Sequence, residues 1–306
     1  MAFAIFLSAC SSNANPPSIA ISTVNITAKP TFTSLPVPTQ TLAPSPIPVI
    51  PTLSLDQARL EFLDLLANNG NCDLPCFWGI TPGQSSFQEA IMILVPLTDI
   101  SDFTHFEKGI GAIDPAYIED GLTIHTNISF LTGSGNQTVS RLAFIARVLK
   151  KADNGFTDVF DWPFFSEQLG YYMLPNILTE YGNPTTVMLS TMAKLPSTGV
   201  PGGFKILLLY PDQGILINYT MQMQVAGENI MGCPSYSHIE LDLYPSEQTT
   251  SFFNLLEPSG WLQIIQNTYK PIGEATAMSK EDFYQIFSQQ TDKCILTPAN
   301  LWPVPD

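Results

Sequence analysis

Two neighbouring runs of alternating apolar and polar residues constrain the fold of this chain more than any other feature. Leu122 to Phe130 and Leu142 to Val148 carry an apolar side chain at nearly every second position, and Gly133-Ser134-Gly135-Asn136 stands between them. A period of two is typical of a strand with one buried and one solvated face, and a glycine-rich break between two such runs indicates an antiparallel hairpin. Ser134 is therefore interpreted as a turn residue, and the sequence predicts an antiparallel sheet.

Helical patterns precede the strand patterns in both halves of the chain. Capping residues and apolar stripes predict helices at four places, after Ser54, after Ser85 or Ser86, from Pro175 to Tyr181, and after Ser279. Strand patterns return in the second half at Phe204 to Tyr210, Ile215 to Thr220 and His238 to Tyr244. The predicted fold class is α+β, with antiparallel sheets and helices packed on one face. Helix followed by hairpin occurs twice, which suggests a degenerate tandem repeat.

The N-terminal part of the chain differs in composition from the rest. Residues 11 to 53 contain nine Pro, seven Thr and six Ser with a single charged residue, Lys29. Such a segment lacks the apolar periodicity that would bury a face, so a disordered spacer is expected over 11–53. Residues 54–306 are expected to form the globular α+β region, either as one unit or as two sub-domains of about 54–160 and 161–306.

Residues 1–10 have the form of an export signal. Met1 to Ala9 is a short apolar segment that ends in small residues before Cys10. Leu7-Ser8-Ala9-Cys10 resembles the lipobox of bacterial lipoproteins, and this resemblance implies cleavage before Cys10 and lipidation of its sulfur. The alternative is an ordinary thiol at Cys10. The expected location is the cell envelope, on the outer face of a bacterial membrane, with the lipid on Cys10 as the anchor.

The charge of the chain excludes one class of partner. The sequence has 12 Lys and Arg against 27 Asp and Glu, which gives a formal net charge of −15. A chain this acidic can hardly assemble the basic face that binds a phosphate backbone, so no nucleic-acid partner is expected. The expected partners are the membrane, through the lipid anchor, and a protein or carbohydrate ligand.

Four cysteines follow the spacer, Cys72, Cys76, Cys233 and Cys294. An even number of cysteines after an export signal favours disulfides over a zinc site, which usually takes its ligands as two close pairs. Four cysteines allow three pairings. The turn at Asp73-Leu74-Pro75 favours Cys72 with Cys76, which leaves Cys233 with Cys294.

No pattern of catalytic, metal-binding or cofactor-binding residues stands out, and none is assigned. His105, His125 and His238 are scattered, and the last two lie on or beside polar strand positions where a solvated imidazole is expected. Aromatic residues cluster at Phe77-Trp78 and Trp162 to Phe165, with Trp302 near the C-terminus. They fit core packing, or a surface that stacks on sugars or anchors a partner.

Glu180-Tyr181-Gly182-Asn183-Pro184-Thr185 carries a weaker resemblance. It is similar to the passage from helix to strand in the tandem folds of β-lactamase inhibitor protein and of the small lipoproteins of outer-membrane barrel assembly. The resemblance implies an architecture and no functional residue.

Two functions remain open from the sequence. The first is a membrane-tethered extracytoplasmic lipoprotein with a non-catalytic binding or scaffolding role, because an anchor and a spacer are recognisable while no catalytic constellation is. The alternative is an extracytoplasmic hydrolase with dispersed carboxylates, which only the fold can bring together. A pocket with two converging carboxylates would favour the hydrolase, and a shallow face with exposed aromatics would favour binding.

Overall fold

A computed structural model describes residues 53–107, 109–133, 137–153, 155–160, 162–192, 203–246, 260–289 and 293–302. The expected signal at 1–10 with Cys10, the expected spacer up to residue 52, and Ser134 lie outside the described residues. Apart from Leu53, every described residue belongs to the region that is expected to be globular.

Local capping determines where several helices begin. The helices of the described residues are α1 (Leu55–Asn68), α2 (Phe87–Leu94), α3 (Trp162–Gln168), α4 (Leu174–Tyr181), α5 (Trp261–Thr268), α6 (Ile272–Ala275) and α7 (Lys280–Phe287). Reciprocal capping boxes start α1 at Ser54, α2 at Ser86 and α7 at Ser279, as predicted. No helix in this part of the chain combines the length and apolar character needed to cross a membrane.

The described strands form one antiparallel sheet. They are β1 (Ser101–Glu107), β2 (Ile110–Glu119), β3 (Leu122–Thr132), β4 (Val139–Ala152), β5 (Gly155–Asp158), β6 (Thr186–Met192), β7 (Gly203–Tyr210), β8 (Ile215–Ala226), β9 (Asn229–Leu243), β10 (Lys270–Pro271) and β11 (Ile295–Pro298). The order across the sheet is β1-β2-β3-β4-β9-β8-β7-β6-β10, while β5 pairs with β4 and β11 with β9. The predicted hairpins are β3–β4 and β7–β8, and both are confirmed.

Strands β4 and β9 join the two halves of the chain. Each is the last of four antiparallel strands, β1 to β4 in the first half and β6 to β9 in the second. Leu142 to Arg147 of β4 pair with Leu243 to His238 of β9. A single sheet therefore runs through both of the expected sub-domains, and one core cluster extends from Phe62 of α1 to Trp302.

The two faces of the sheet are covered differently. The main core lies on one face, where Phe144, Ile239 and Ile206 are buried together with helical residues. A smaller cluster on the opposite face contains Leu207 of β7 and Ile265 of α5. The prediction that helices pack on one face is therefore wrong for α5. The reason is that β7 is apolar at consecutive positions, so both of its faces need cover.

The four described cysteines form two disulfides in the predicted pairing. Cys72 and Cys76 lie between α1 and α2 with their Cα atoms 5.8 Å apart. Cys233 of β9 is joined to Cys294, just before β11, with a Cα separation of 4.2 Å. The second bridge therefore reinforces the pairing of β11 with β9.

Candidate functional site

A line of polar side chains crosses the centre of the sheet on the face opposite the main core. The register places Arg147 of β4 beside His238 of β9. His238 lies in turn beside Thr220 of β8, and Thr220 lies beside Lys205 of β7. Directly opposed residues of antiparallel strands have Cβ atoms about 5 Å apart, so these side chains form a continuous line. We call Arg147, His238, Thr220 and Lys205 the basic row.

Strand alternation explains why the four side chains share a face. The residues next to them along their strands belong to the main core, namely Ala146, Val148, Ile239, Tyr219 and Ile206. Successive residues of a strand point to opposite faces, so the row is directed away from that core. Sequence reasoning missed Arg147, Thr220 and Lys205 as a group. The only signal was their polarity on three strands, which does not reveal which strands are neighbours.

Two atoms of the basic row are buried without a hydrogen-bond partner. They are Nε2 of His238 and Oγ1 of Thr220, for which the described residues supply no partner. An unsatisfied buried polar atom costs about 1–3 kcal/mol, so most such atoms in native proteins contact water, an ion or a ligand. The two atoms therefore mark a position on the sheet suited to a polar ligand.

His238 differs from the solvated imidazole that the sequence predicts. Burial, followed by the positive charges of Arg147 and Lys205, lowers its pKa from 6.5 to about 3. The imidazole is therefore neutral at neutral pH, and Nε2 can donate or accept one hydrogen bond according to its tautomer. Alternation correctly indicated the polar face, but the side chains that surround His238 come from other strands.

Arg147 and Lys205 carry the positive charge of the row. Arg147 is exposed and Lys205 is half-buried. In the described part of the chain, neither of them forms an ion pair. Burial lowers the pKa of Lys205. Near Arg147, Asp158 of β5 has a buried Oδ1 without a partner among the described residues, and burial raises the pKa of its carboxyl.

Two carboxyl groups follow His238 on the same face of β9. Glu240 accepts a hydrogen bond from Nδ2 of Asn218 at 3.3 Å, and Asn218 accepts one from the Tyr269 hydroxyl at 2.9 Å. Burial, followed by the negative charge of Asp242, raises the pKa of Glu240. Asp242 forms an ion pair with Arg141, whose Nε donates to its Oδ1 at 2.7 Å. Glu240 is therefore more readily protonated than an exposed glutamate.

A groove of about 840 Å³ lies beside the basic row. It is bordered by α1, by residues Asp99 to Asp102 and by strands β2 to β5. Its lining includes four exposed apolar side chains, Leu55, Leu60, Ile118 and Phe156. His125 also lines the groove and is paired with Arg147 in the sheet, so the groove is continuous with the end of the basic row.

The other residues singled out from the sequence have structural roles or lie apart from the row. The ring of His105 on β1 stacks on Phe103, with 6.4 Å between centroids. Phe77 and Trp78 are buried and stack on each other at 4.6 Å. Trp302 is buried, and its Nε1 donates to Thr297. Among the described residues, no group of three or more His, Cys, Asp or Glu side chains is placed to hold a metal ion.

Comparisons with known proteins give no relative for this chain. No protein-family model, no curated protein and no solved structure matches it.

The neutral state of His238 leads to a prediction about pH and stability. Its pKa in the folded protein, about 3, lies below the value of 6.5 for an unperturbed imidazole, so the unfolded chain takes up a proton first as the pH falls. The stability that depends on neutral His238 is present above pH 6.5 and is lost as the pH falls toward 3. We expect the free energy of unfolding to fall less steeply below pH 6.5 in His238→Asn than in the wild type.

Urea denaturation at several pH values measures this slope. His105→Asn is the matched control, because His105 lies on the exposed edge strand β1. Equal slopes in His238→Asn and the wild type would contradict the prediction.

Proposed function

We propose that this protein is a membrane-tethered extracytoplasmic lipoprotein with a non-catalytic binding or scaffolding role. The anchor is a lipid on Cys10 within Leu7-Ser8-Ala9-Cys10, and the location is the outer face of a bacterial membrane. The spacer over residues 11–53 holds the globular region away from that membrane. With the polyproline II rise of about 3.1 Å per residue, its 43 residues extend to at most roughly 130 Å.

The observation that carries the binding role is the basic row. A sheet face that serves packing alone is covered with apolar contacts, whereas this face gathers two cations and two unsatisfied polar atoms at its centre. The adjoining groove adds exposed apolar surface, including Phe156 with 61% of its area exposed. Side chains held in register by a rigid sheet need little ordering when a ligand binds, which favours affinity.

The proposal includes a degenerate tandem repeat, of the kind that β-lactamase inhibitor protein and the small lipoproteins of outer-membrane barrel assembly contain. Its support is that α1 and α2 precede β1 to β4, while α3 and α4 precede β6 to β9. The corresponding last strands, β4 and β9, are adjacent in the sheet. In this arrangement the basic row crosses the junction of the two repeats, because Arg147 is on β4 and His238 is on β9.

A hydrolase is the second candidate, and Glu240 is the observation that favours it. A readily protonated carboxyl next to an ionised one is the arrangement of a general acid and its partner. Glu240 and Asp242 have this relation on one face of β9. The binding role is preferred because the Asp242 side chain is only 1% exposed and is held by Arg141, where a substrate does not contact it.

Cys10→Ser tests the anchor. We expect the wild-type full chain, produced in a bacterial host, to be recovered with membranes and to incorporate labelled palmitate. The variant should move to the soluble extracytoplasmic fraction without label, because several lipid chains bind a membrane firmly and their loss removes that affinity.

Ser12→Ala is the matched control for this experiment and should retain both label and membrane location. Mass spectrometry that finds an uncleaved, unmodified Met1 in protein from its native host would overturn the proposal. Membrane recovery of Cys10→Ser equal to that of the wild type would also do so.

A further inference from the structure

We infer that the basic row binds an anionic group of the ligand, a carboxylate, phosphate or sulfate, and this inference rests on the binding role proposed above. Arg147 and Lys205 supply the positive charge. His238 and Thr220, between them, supply hydrogen bonds through the two atoms that are buried without partners among the described residues.

The electrostatics of the row favour an anion. The chain is acidic, with a net charge of −15 and only 12 Lys and Arg, yet two of these cations lie at the two ends of the row that contains His238 and Thr220. The charges that act on His238 are those of Arg147 and Lys205, and both oppose a proton on its imidazole. An anion placed at His238 therefore meets a positive local potential and relieves the repulsion between these groups.

The dimensions of the row suit one acidic group. Arg147 and Lys205 are separated by three strand spacings, about 14 Å between Cα atoms for a spacing of about 4.8 Å. Their long side chains are able to reach a group bound above His238 and Thr220 between them. A hydrogen bond in which one partner is ionised is roughly twice as strong as a neutral one, so each contact to an anion gains from its charge.

The carboxyl groups around the row attract its cations, Glu240 acting on Lys205 and Asp158 on Arg147, but form no ion pair with them among the described residues. Glu240 lies two residues along β9 and is bonded to Asn218, while Asp242 is paired with Arg141. Asp158 lies near Arg147, but the two form no ion pair among the described residues. Burial raises the pKa of both Asp158 and Glu240, so their negative charges are the ones most easily neutralised when an anion binds.

A metal ion is the competing occupant, since His238 and Asp158 both have unsatisfied atoms. The positive charges of Arg147 and Lys205, which act on His238, oppose the binding of a metal cation. Among the described residues, no third His, Cys, Asp or Glu side chain joins His238 and Asp158 to complete a metal site. The observations therefore favour an anion.

The test follows the histidine imidazoles of the full chain by NMR during titration with inorganic phosphate, sulfate or acetate. Sodium chloride at equal ionic strength is the reference. We expect an anion to shift the signals of His238, identified by their loss in His238→Asn, and to leave those of His105 unchanged. A stronger response to acetate identifies a carboxylate ligand, and a stronger response to phosphate or sulfate identifies a phosphate or sulfate ester.

Two charge-removing variants complete the test. Arg147→Gln and Lys205→Gln should each weaken anion binding at least tenfold, which corresponds to about 1.4 kcal/mol. Lys150→Gln is the matched control, because Lys150 is an exposed cation on the same strand that pairs with Leu122, away from the row. Its affinity should stay within about twofold of the wild type, well short of the tenfold loss that 1.4 kcal/mol represents.

The anion site is contradicted if the His238 signals of the folded wild-type protein respond to none of the anions up to about 0.1 M. At that ionic strength, screening already limits surface interactions to about 10 Å. Unchanged affinity in both Arg147→Gln and Lys205→Gln also overturns the anion site. The Cys10→Ser experiment measures membrane attachment alone, so a failure of the anion site and a failure of the lipoprotein proposal are distinguishable.

Discussion

Asp242→Asn is expected to lower the free energy of unfolding by about 2–4 kcal/mol, because it leaves Arg141 without its ionic partner in the sheet. The Asp242 side chain is 1% exposed and lies 2.5 Å from Nη2 of Arg141, whose side chain is 25% exposed. The partial exposure of Arg141 places the expected loss somewhat below that for a fully buried pair. Urea denaturation followed by circular dichroism measures the free energy of unfolding of the variant and of the wild type.

Asp56→Asn is the matched control for that experiment. It breaks the ion pair in which Nη1 of Arg59 lies 3.6 Å from Oδ1 of Asp56. The Asp56 side chain is 91% exposed. Exposed pairs contribute at most about 1 kcal/mol, so the control should change stability much less. Equal losses in the two variants would show that the ion pair of Asp242 is not a stabilising contact of the folded sheet.

Removal of the disulfide between Cys233 and Cys294 is the second change with a large expected effect. In the chain-entropy model, a bridge that closes 61 residues stabilises by about 4 kcal/mol, and one that closes four residues by about 2 kcal/mol. The double variant Cys233→Ser/Cys294→Ser should therefore lose about twice as much free energy of unfolding as Cys72→Ser/Cys76→Ser. Denaturant titration of both variants beside the wild type tests the ratio.

Peptide mapping without reduction provides an independent check on the pairing. A Cys72 or Cys76 peptide linked to Cys233 or Cys294 would contradict it. A larger stability loss from the short loop than from the long one would contradict the argument from loop length.

Strand β9 connects stability with the candidate site. It pairs with β4, β8 and β11, and it contains both Asp242 and Cys233. The same strand presents His238 and Glu240 on the polar face. The ion pair of Asp242 and the disulfide of Cys233 therefore secure the strand on which the proposed anion site depends, and this rigidity keeps the basic row in register.

Elements with local causes were predictable from the amino-acid sequence. Ser54 and Ser86 start helices because their side chains and those of Gln57 and Glu89 satisfy free amide groups within one turn. The β3–β4 and β7–β8 hairpins follow from alternation on both sides of a short turn. The pairing of Cys72 with Cys76 could also be predicted from the sequence, because both residues lie in one short loop.

The identity of neighbouring strands follows from the assembled sheet and could not be read from the sequence pattern. The alternation of β4 and of β9 predicts which face each residue occupies, yet it does not say that Arg147 and His238 are directly opposed. Leu207 likewise has an apolar partner on the second face only because α5 packs there. The basic row, the burial of Nε2 of His238 and the packing of α5 on β7 all arise from contacts between segments far apart in the chain. Such contacts depend on the register and packing of the whole sheet, whereas sequence patterns report only local preferences.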